Sequence, residues 1–323
     1  MTVAAPVRKL ALDDVVIKRP PRSLFRDSMH RLTRNKMSMA GLVVIIMFMF
    51  MAIFAEQLAP HNPLEIYPGK TYLPPAWVEG GDPQFLLGTD TLGRDVFSRT
   101  LYGARVSMAV GLIPTFIILI VGGVIGMTAG FAGGRVDNLL MRLTDVIYAF
   151  PDLLFFIIVM VSLRDTPLGQ MANGMVLLFV ALAIVSWVTI ARLVRGQVLS
   201  LKNKEFIEAG KMIGAPTTRI MSHHLLPNTL GVIIVYTAFR IPALIITEAV
   251  LGYLGVGMRP TTDPTSFFMT SWGQLMLEGQ TAINSQLAIL LAPAICVALV
   301  VMAFTFLGDG LRDALDPRMA GTK

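Results

Sequence analysis

Six apolar runs, at 39–56, 107–129, 139–162, 174–193, 229–250 and 286–307, dominate the chain. Each comes close to the roughly 20 residues that a helix needs to cross about 30 Å of hydrocarbon. Inside a bilayer the backbone N–H and C=O groups must be satisfied by the protein itself, so runs of this length fold as helices. The expectation is an all-α integral membrane protein with about six transmembrane helices. Composition agrees, with 54% hydrophobic residues, 15% charged residues and a mean hydropathy of +0.66. Six spans and their loops use nearly all of the 323 residues, so any soluble catalytic domain must lie on another chain.

The net charge of +6 is placed rather than spread. Nine cations (Arg8, Lys9, Lys18, Arg19, Arg22, Arg26, Arg31, Arg34 and Lys36) precede the first apolar run. Such a cluster beside a span sets topology and suits anionic lipid headgroups, so no nucleic-acid partner is inferred. Threading six spans from a cytoplasmic N-terminus puts 18 of the 27 Lys and Arg in inside segments, Arg142 and Arg192 at the inner ends of their spans, six outside (Lys70, Arg94, Arg99, Arg105, Arg164 and Arg259), and Arg240 deeper within a span. Both termini are therefore expected in the cytoplasm. A cleavable signal peptide is not expected, because the first apolar run follows a long polar leader and lacks a small-x-small site after it. Cys296 is the single cysteine and reads as a packing residue.

These signs divide the chain into a basic cytoplasmic leader (1–38), a first anchor (39–56), an extracytoplasmic loop (57–106), a five-helix core (107–308) and a cytoplasmic tail (309–323). Within the extracytoplasmic loop, a Pro- and Gly-rich stretch gives way at Leu87 to a short interfacial helix, with Asp90 as its expected cap. The third span carries Arg142, Asp145, Pro151 and Asp152 in its first half, and Arg142 and Asp145 are spaced to pair. Leu251 to Ser285, with few charges and Trp272, reads as a partly re-entrant hairpin tucked among helices.

The cytoplasmic loop at 194–228 is the most distinctive part. Phe206 to Ile213 predicts a short amphipathic helix with Phe206, Ala209, Met212 and Ile213 on its apolar face and Lys204, Glu205, Glu208 and Lys211 at its polar edges. Gly214 ends that helix in a left-handed turn, and Pro216 falls in the first turn of the next. As a bare amphipathic loop this segment would lie on the membrane or pack on its own bundle. With Glu208, Gly214 and Leu226-Pro227 at their spacing, the expectation is docking to a partner protein, since helix-in-groove recognition needs a short rigid element on a fixed base.

Other polar residues carry weaker signals. Arg240 and Glu248 are ionisable residues within the fifth span, either lining a solute path or gating it, or holding helices together as buried charges. Eight helical residues separate them by about 12 Å, so a direct pair is not expected. His223 and His224 are adjacent, about 100° apart on a helix, and no metal site is inferred. Gly69-Lys70-Thr71 lacks the earlier glycine of a phosphate loop, since position 64 is Leu64. No nucleophile and base arrangement is detectable, so no catalytic residue is named.

Glu208, Ala209, Gly214, Leu226 and Pro227 resemble the EAA loop of ABC importer permeases, with Gly210 in place of the second Ala. The substitution weakens an isolated helix by about 1 kcal/mol. LGTDTLGRD from Leu87, GGRVDNLLMRLTDV from Gly133, ITEAVLGYLGVG from Ile246, SWGQLMLEG from Ser271 and GDGLRDALDPR from Gly308 resemble the oligopeptide, dipeptide and nickel branch, and its second, C-type permease in particular. The segment Pro260 to Thr270 is longer than the usual spacer there. The resemblance implies a type I importer permease in the cytoplasmic (inner) membrane, forming half of a path for peptides or related small solutes. It implies a coupling helix at Phe206, Ile207, Glu208, Ala209, Gly210, Lys211, Met212, Ile213, Gly214 and Ala215. It also implies a second homologous permease, two ABC ATPase subunits that bind ATP and Mg, and an extracytoplasmic solute-binding protein. This chain would then bind no cofactor and hydrolyse no ATP. A secondary transporter or channel working without ATPases is the alternative, but neither an inverted repeat nor paired interrupted helices are found.

Overall fold

A computed structural model describes residues 24–315. The cations Arg8, Lys9, Lys18, Arg19 and Arg22, and the end of the C-terminal motif at Asp316 to Arg318, lie outside the described residues. The chain runs through α1 (Leu24–Arg34), α2 (Lys36–Ile53), α3 (Ala55–Leu58), a long loop, α4 (Val96–Ala132), α5 (Gly134–Tyr148) and α6 (Asp152–Ser162). It continues through α7 (Pro167–Gln170), α8 (Met175–Leu201), α9 (Glu205–Met212), α10 (Thr217–Arg219), α11 (Leu226–Tyr253), α12 (Trp272–Thr281) and α13 (Ala288–Leu315). Five helices are long and apolar enough to cross a membrane, or six if the bent pair α5 and α6 forms one span.

Local chemistry sets several boundaries. Asn35 opens α2 by accepting hydrogen bonds from the N–H groups of Met37 and Ser38, and Asp95 opens α4 in the same way at Phe97 and Ser98. The cap is therefore Asp95 rather than Asp90, and no separate interfacial helix precedes the second span. One continuous helix of 37 residues begins at Val96. At 1.5 Å per residue it is about 55 Å long, so part of it projects beyond the hydrocarbon. The third span is not straight: α5 and α6 meet at 77°. Pro151 sits at the break, where it lacks a donor N–H and disfavours helical geometry at Phe150. Asp145 pairs with Arg192 of α8 at 2.7 Å rather than with Arg142.

The centre of the bundle is α8, with Leu177, Leu178, Leu182, Val188 and Ile190 at 2% exposure or less. Its partner is α4, and glycines of α4 make the approach close. Gly122, Gly126 and Gly130 recur every four residues along α4, on one face. A Cβ at these positions would lie 2.6 Å from the Trp187 carbonyl oxygen, 2.4 Å from that of Ala191 and 2.8 Å from the Val198 Cβ. Small residues at such spacing let transmembrane helices approach closely, and dispersion across the seam replaces the hydrophobic drive that lipid does not supply. Gly126→Leu is expected to force the seam apart and lose at least the 1–3 kcal/mol typical of overpacking. Gly123→Leu, on a face with no atom within 4 Å, should cost far less. Thermal unfolding of the two detergent-solubilised variants checks this; equal Tm values would show that the glycine seam is not a tight contact.

A second seam joins α2 to α13. Gly41 packs on Ala303, and the Ser38 hydroxyl donates to the Phe306 carbonyl at 2.9 Å. The segment before α13 is tucked among helices, as expected from its sequence. Ser271 caps α12, and fully buried Trp272 donates from Nε1 to the Thr100 carbonyl of α4 at 2.9 Å. Val43, Ile46, Phe116, Val124, Ile158 and Ile295 remain exposed around the bundle, a surface suited to lipid.

Candidate functional site

The loop between α8 and α11 lies at the end of the bundle where α4 and α8 finish. Lys202, just past α8, donates from Nζ to the Gly130 carbonyl at 3.2 Å, tying the ends of these two helices together. Lys204 then takes an extended conformation and α9 begins. Glu205 and Glu208 lie in its first turn and Lys211 in its last, each complementing the nearer end of the helix dipole.

The end of α9 is held by a complete glycine cap. The Gly214 N–H donates to the Lys211 carbonyl at 3.0 Å and the Ala215 N–H to the Gly210 carbonyl at 3.1 Å, the two bonds of a Schellman motif. Gly214 has φ +78°, the left-handed region where glycine avoids the Cβ penalty. The expected left-handed corner is therefore present. Pro216 precedes α10 as its cap rather than sitting in its first turn. A π-helical segment, Ile220–Leu225, then leads into α11 and carries His223 and His224.

Two faces of α9 divide the work. Ile207 and Gly210 are buried. Gly210 does not mark a close backbone approach, because a Cβ there would meet only the Ile220 side chain at 4.0 Å. Phe206, Glu208, Ala209, Lys211, Met212, Ile213 and Gly214 are exposed, and Ala215 is half-buried. Met212 is 88% exposed and Ile213 84%, at the tip of a short, capped helix. Lys211 extends over the Phe131 ring of α4, with Nζ 5.6 Å from its centroid. Of the apolar residues assigned by spacing to one face, Ala209, Met212 and Ile213 therefore point away from this chain, while the Phe206 ring lies 6.4 Å from that of His224.

An ion pair braces the same end. Arg195 of α8 makes a forked contact with Asp137 of α5, at 2.5 and 2.6 Å. Arg192 also lies over the Tyr148 ring at 4.6 Å.

Arg240 and Glu248 are brought neither to α9 nor to each other's hydrogen bonds. Arg240 of α11 donates to the Ser186 hydroxyl of α8, while its Nε and the Tyr236 hydroxyl one turn earlier have no partner among the described residues. Glu248 is fully buried and neither carboxylate oxygen has a hydrogen-bond partner among the described residues.

At the opposite end is a cluster that sequence reading missed. Arg99, 1% exposed, contacts Asp90 and donates to Glu278 of α12, at 3.0 Å from Nη2. Arg94 donates to the same two carboxylates at 2.7 and 3.0 Å. The cluster fastens the loop before α4 to α12. Both contributing motifs were visible, as LGTDTLGRD and SWGQLMLEG, but their union at a separation of 179 residues was not. Nearby in the loop, the Lys70 ammonium and then the Gln84 N–H hold the Asp82 carboxyl below its usual range. That small stabilisation is present above the unfolded-state pKa and fades as pH falls through the lowered one. The Thr265 hydroxyl and then its N–H likewise lower Asp263.

Comparison with known proteins gives a consistent set of matches. Residues 122–321 match the family described as binding-protein-dependent transport system inner membrane component, and 23–75 match the N-terminal TM domain of oligopeptide transport permease C. The dipeptide transport system permease protein DppC of Bacillus subtilis is 40% identical over 94% of this chain and 88% of its own length. The oligopeptide transport system permease protein OppC is 37% identical in B. subtilis, over 97% of this chain and 96% of that one. In Escherichia coli it is 37% identical over 92% of each. Among solved structures, the MetNI methionine ABC transporter in inward-facing conformations aligns with a TM-score of 0.51 and 16% identity, covering 66% of this chain and 94% of that one. That likeness is one of fold.

Proposed function

Because this chain belongs to the binding-protein-dependent transport system inner membrane components, and within them to the permeases of peptide ABC importers, we propose that it forms half of a peptide path and that α9 couples this path to ATP. A second homologous permease completes the path. Two ABC ATPase subunits hold ATP and Mg, and an extracytoplasmic binding protein delivers dipeptides or oligopeptides. The chain itself breaks no covalent bond.

The observation that carries the coupling role is the exposure of Met212 and Ile213 on a helix whose other face is anchored. Two apolar side chains held away from their own protein favour burial in a groove, at about 25 cal/mol per Å² of apolar surface removed from water. The Gly214 corner fixes the direction in which they point. Movement of the ATPases on nucleotide binding would then be transmitted to α8 and α11, between which α9 lies. Nucleotide can bias the permease only if this interface differs in free energy between its two states. Arg240, with an unpartnered Nε deep in the bundle, and buried Glu248 are the residues we assign to the path or its gating.

Proteoliposomes holding both permeases and the ATPases, supplied with binding protein and labelled dipeptide, test the reading. Accumulation should need internal ATP and every component. Accumulation without ATP, or without the ATPase subunits, would overturn it in favour of a secondary transporter.

A further inference from the structure

A cavity of about 540 Å³ lies away from both α9 and Arg240. It opens between α3, the first turns of α4 and the segment Pro264 to Met269, in the part of the chain longer than its family spacer. A volume between roughly 300 and 1,000 Å³ is that of a small-molecule site. The charges on its wall are opposite and unspent. Arg105 is only 8% exposed, with Nε donating to the Ala52 carbonyl at 2.9 Å. Its terminal nitrogens find no acceptor among the described residues. The guanidinium is held between two aromatic rings, 4.8 Å from the centroids of both Tyr102 and Phe267. Glu56, on the rim, makes no ion pair with it or with any other described residue.

The cavity wall is built rather than loose. Asn173 at the entrance to α8 donates to the Ser266 hydroxyl at 2.6 Å and the Phe268 carbonyl at 2.8 Å. Asp263 holds Thr265 through its N–H at 2.9 Å and its hydroxyl at 2.7 Å. On the other side, the His61 N–H donates to Ser98 at 3.2 Å, and its ring stacks on Phe85 at 4.9 Å. A fixed guanidinium between aromatic faces, with a carboxylate in the same cavity but not paired to it, complements a ligand bearing both charges.

We propose that this cavity binds a small zwitterion, an amino acid or dipeptide, with its carboxylate on Arg105 and its ammonium toward Glu56. The choice of a peptide rests on the permease reading; the charge pattern does not. The site would hold cargo at the mouth of the permease, apart from any position deeper in the bundle.

The test uses the assembled permease and ATPase complex, without binding protein, in nanodiscs of phosphatidylglycerol. Binding of dialanine is followed by saturation-transfer NMR and titration. Millimolar binding is expected, weakened at least about tenfold by N-acetylation or amidation of the dipeptide and by Glu56→Gln or Phe267→Ala. Phe267→Ala leaves the Arg105 to Ala52 bond in place, so it probes the cavity without removing that anchor. Absence of dialanine binding, or binding indifferent to the blocked termini and to both substitutions, overturns the proposal. Phosphatidylethanolamine carries the same two charges. Loss of dialanine binding when it is added to the discs would assign the cavity to a lipid headgroup and overturn the free-peptide reading. ATP-driven uptake with binding protein, measured on the same purified complex reconstituted into proteoliposomes, separates failure of this site from failure of the importer reading.

Discussion

Replacing Met212 and Ile213 together by aspartate is expected to reduce ATP-driven uptake to background while leaving insertion and thermal stability unchanged. Neither side chain is needed by this chain's own core, since they are 88% and 84% exposed. Their value lies in what they would fill on a partner. Two central apolar anchors, each worth about 2 kcal/mol to an interface, together correspond to roughly a thousandfold in affinity. The ATPase subunits should therefore fail to co-purify with the variant. Glu208→Lys puts a cation near the start of α9 and should impair coupling without affecting insertion. Gly214→Trp should do the same by another route. No atom lies within 4 Å of its would-be Cβ, so space is not the obstacle; φ +78° is, at about 1–2 kcal/mol for an L side chain. Uptake and co-purification at the level of the unsubstituted protein in the double aspartate variant would remove the docking role from α9.

Arg99→Gln is expected to be the most destabilising single change at the opposite end of the molecule, by about 3–5 kcal/mol, the cost of leaving a buried charge without its partner. Arg99 is 1% exposed and stands between Asp90, fully buried, and Glu278. Its loss leaves two carboxylates to share Arg94. Removing Glu278 as well, in Arg99→Met with Glu278→Met, restores balance because Arg94 still donates to Asp90 at 2.7 Å. The double variant should recover part of the lost Tm, read by fluorescence-detected size exclusion after heating. A double variant less stable than Arg99→Gln would show that the cluster is not governed by charge balance.

Hydropathy made the spans legible, because backbone satisfaction in lipid leaves helices as the answer to a long apolar run. It marked only the apolar part of α4, from 107, whereas the helix itself begins eleven residues earlier at Val96. Arg99 and Arg105 look like loop residues by charge, yet both are buried in contacts with distant segments: Glu278 for one, Ala52 and Phe267 for the other. The bend at Pro151 had its proline in view, whereas pairing of Asp145 with Arg192 depended on where α8 would lie. In the loop between α8 and α11 the reading was better. A Schellman turn is written in neighbouring residues, so Gly214 announced it. What faced in and what faced out did not follow from the same residues. Ile207 and Gly210 form the anchored side because Ile220, thirteen residues past Ile207, returns to meet them.

The glycine seam between α4 and α8 has a mechanical consequence. Helices joined through flexible side chains slide and repack under load, but here the glycines of α4 lie against the Trp187 and Ala191 carbonyls and the stiff, β-branched Ile190 and Val198 side chains, leaving little to yield. Lys202 pins the seam at one end, and Lys211 rests on Phe131 beside it. The pair should behave as a single beam, loaded at its foot by α9. Along the roughly 40 Å of α8, a tilt of about 5° at the foot carries the far tip by about 3–4 Å. A push too small to deform the bundle near α9 would thus become a displacement the size of a peptide group at the other side of the membrane.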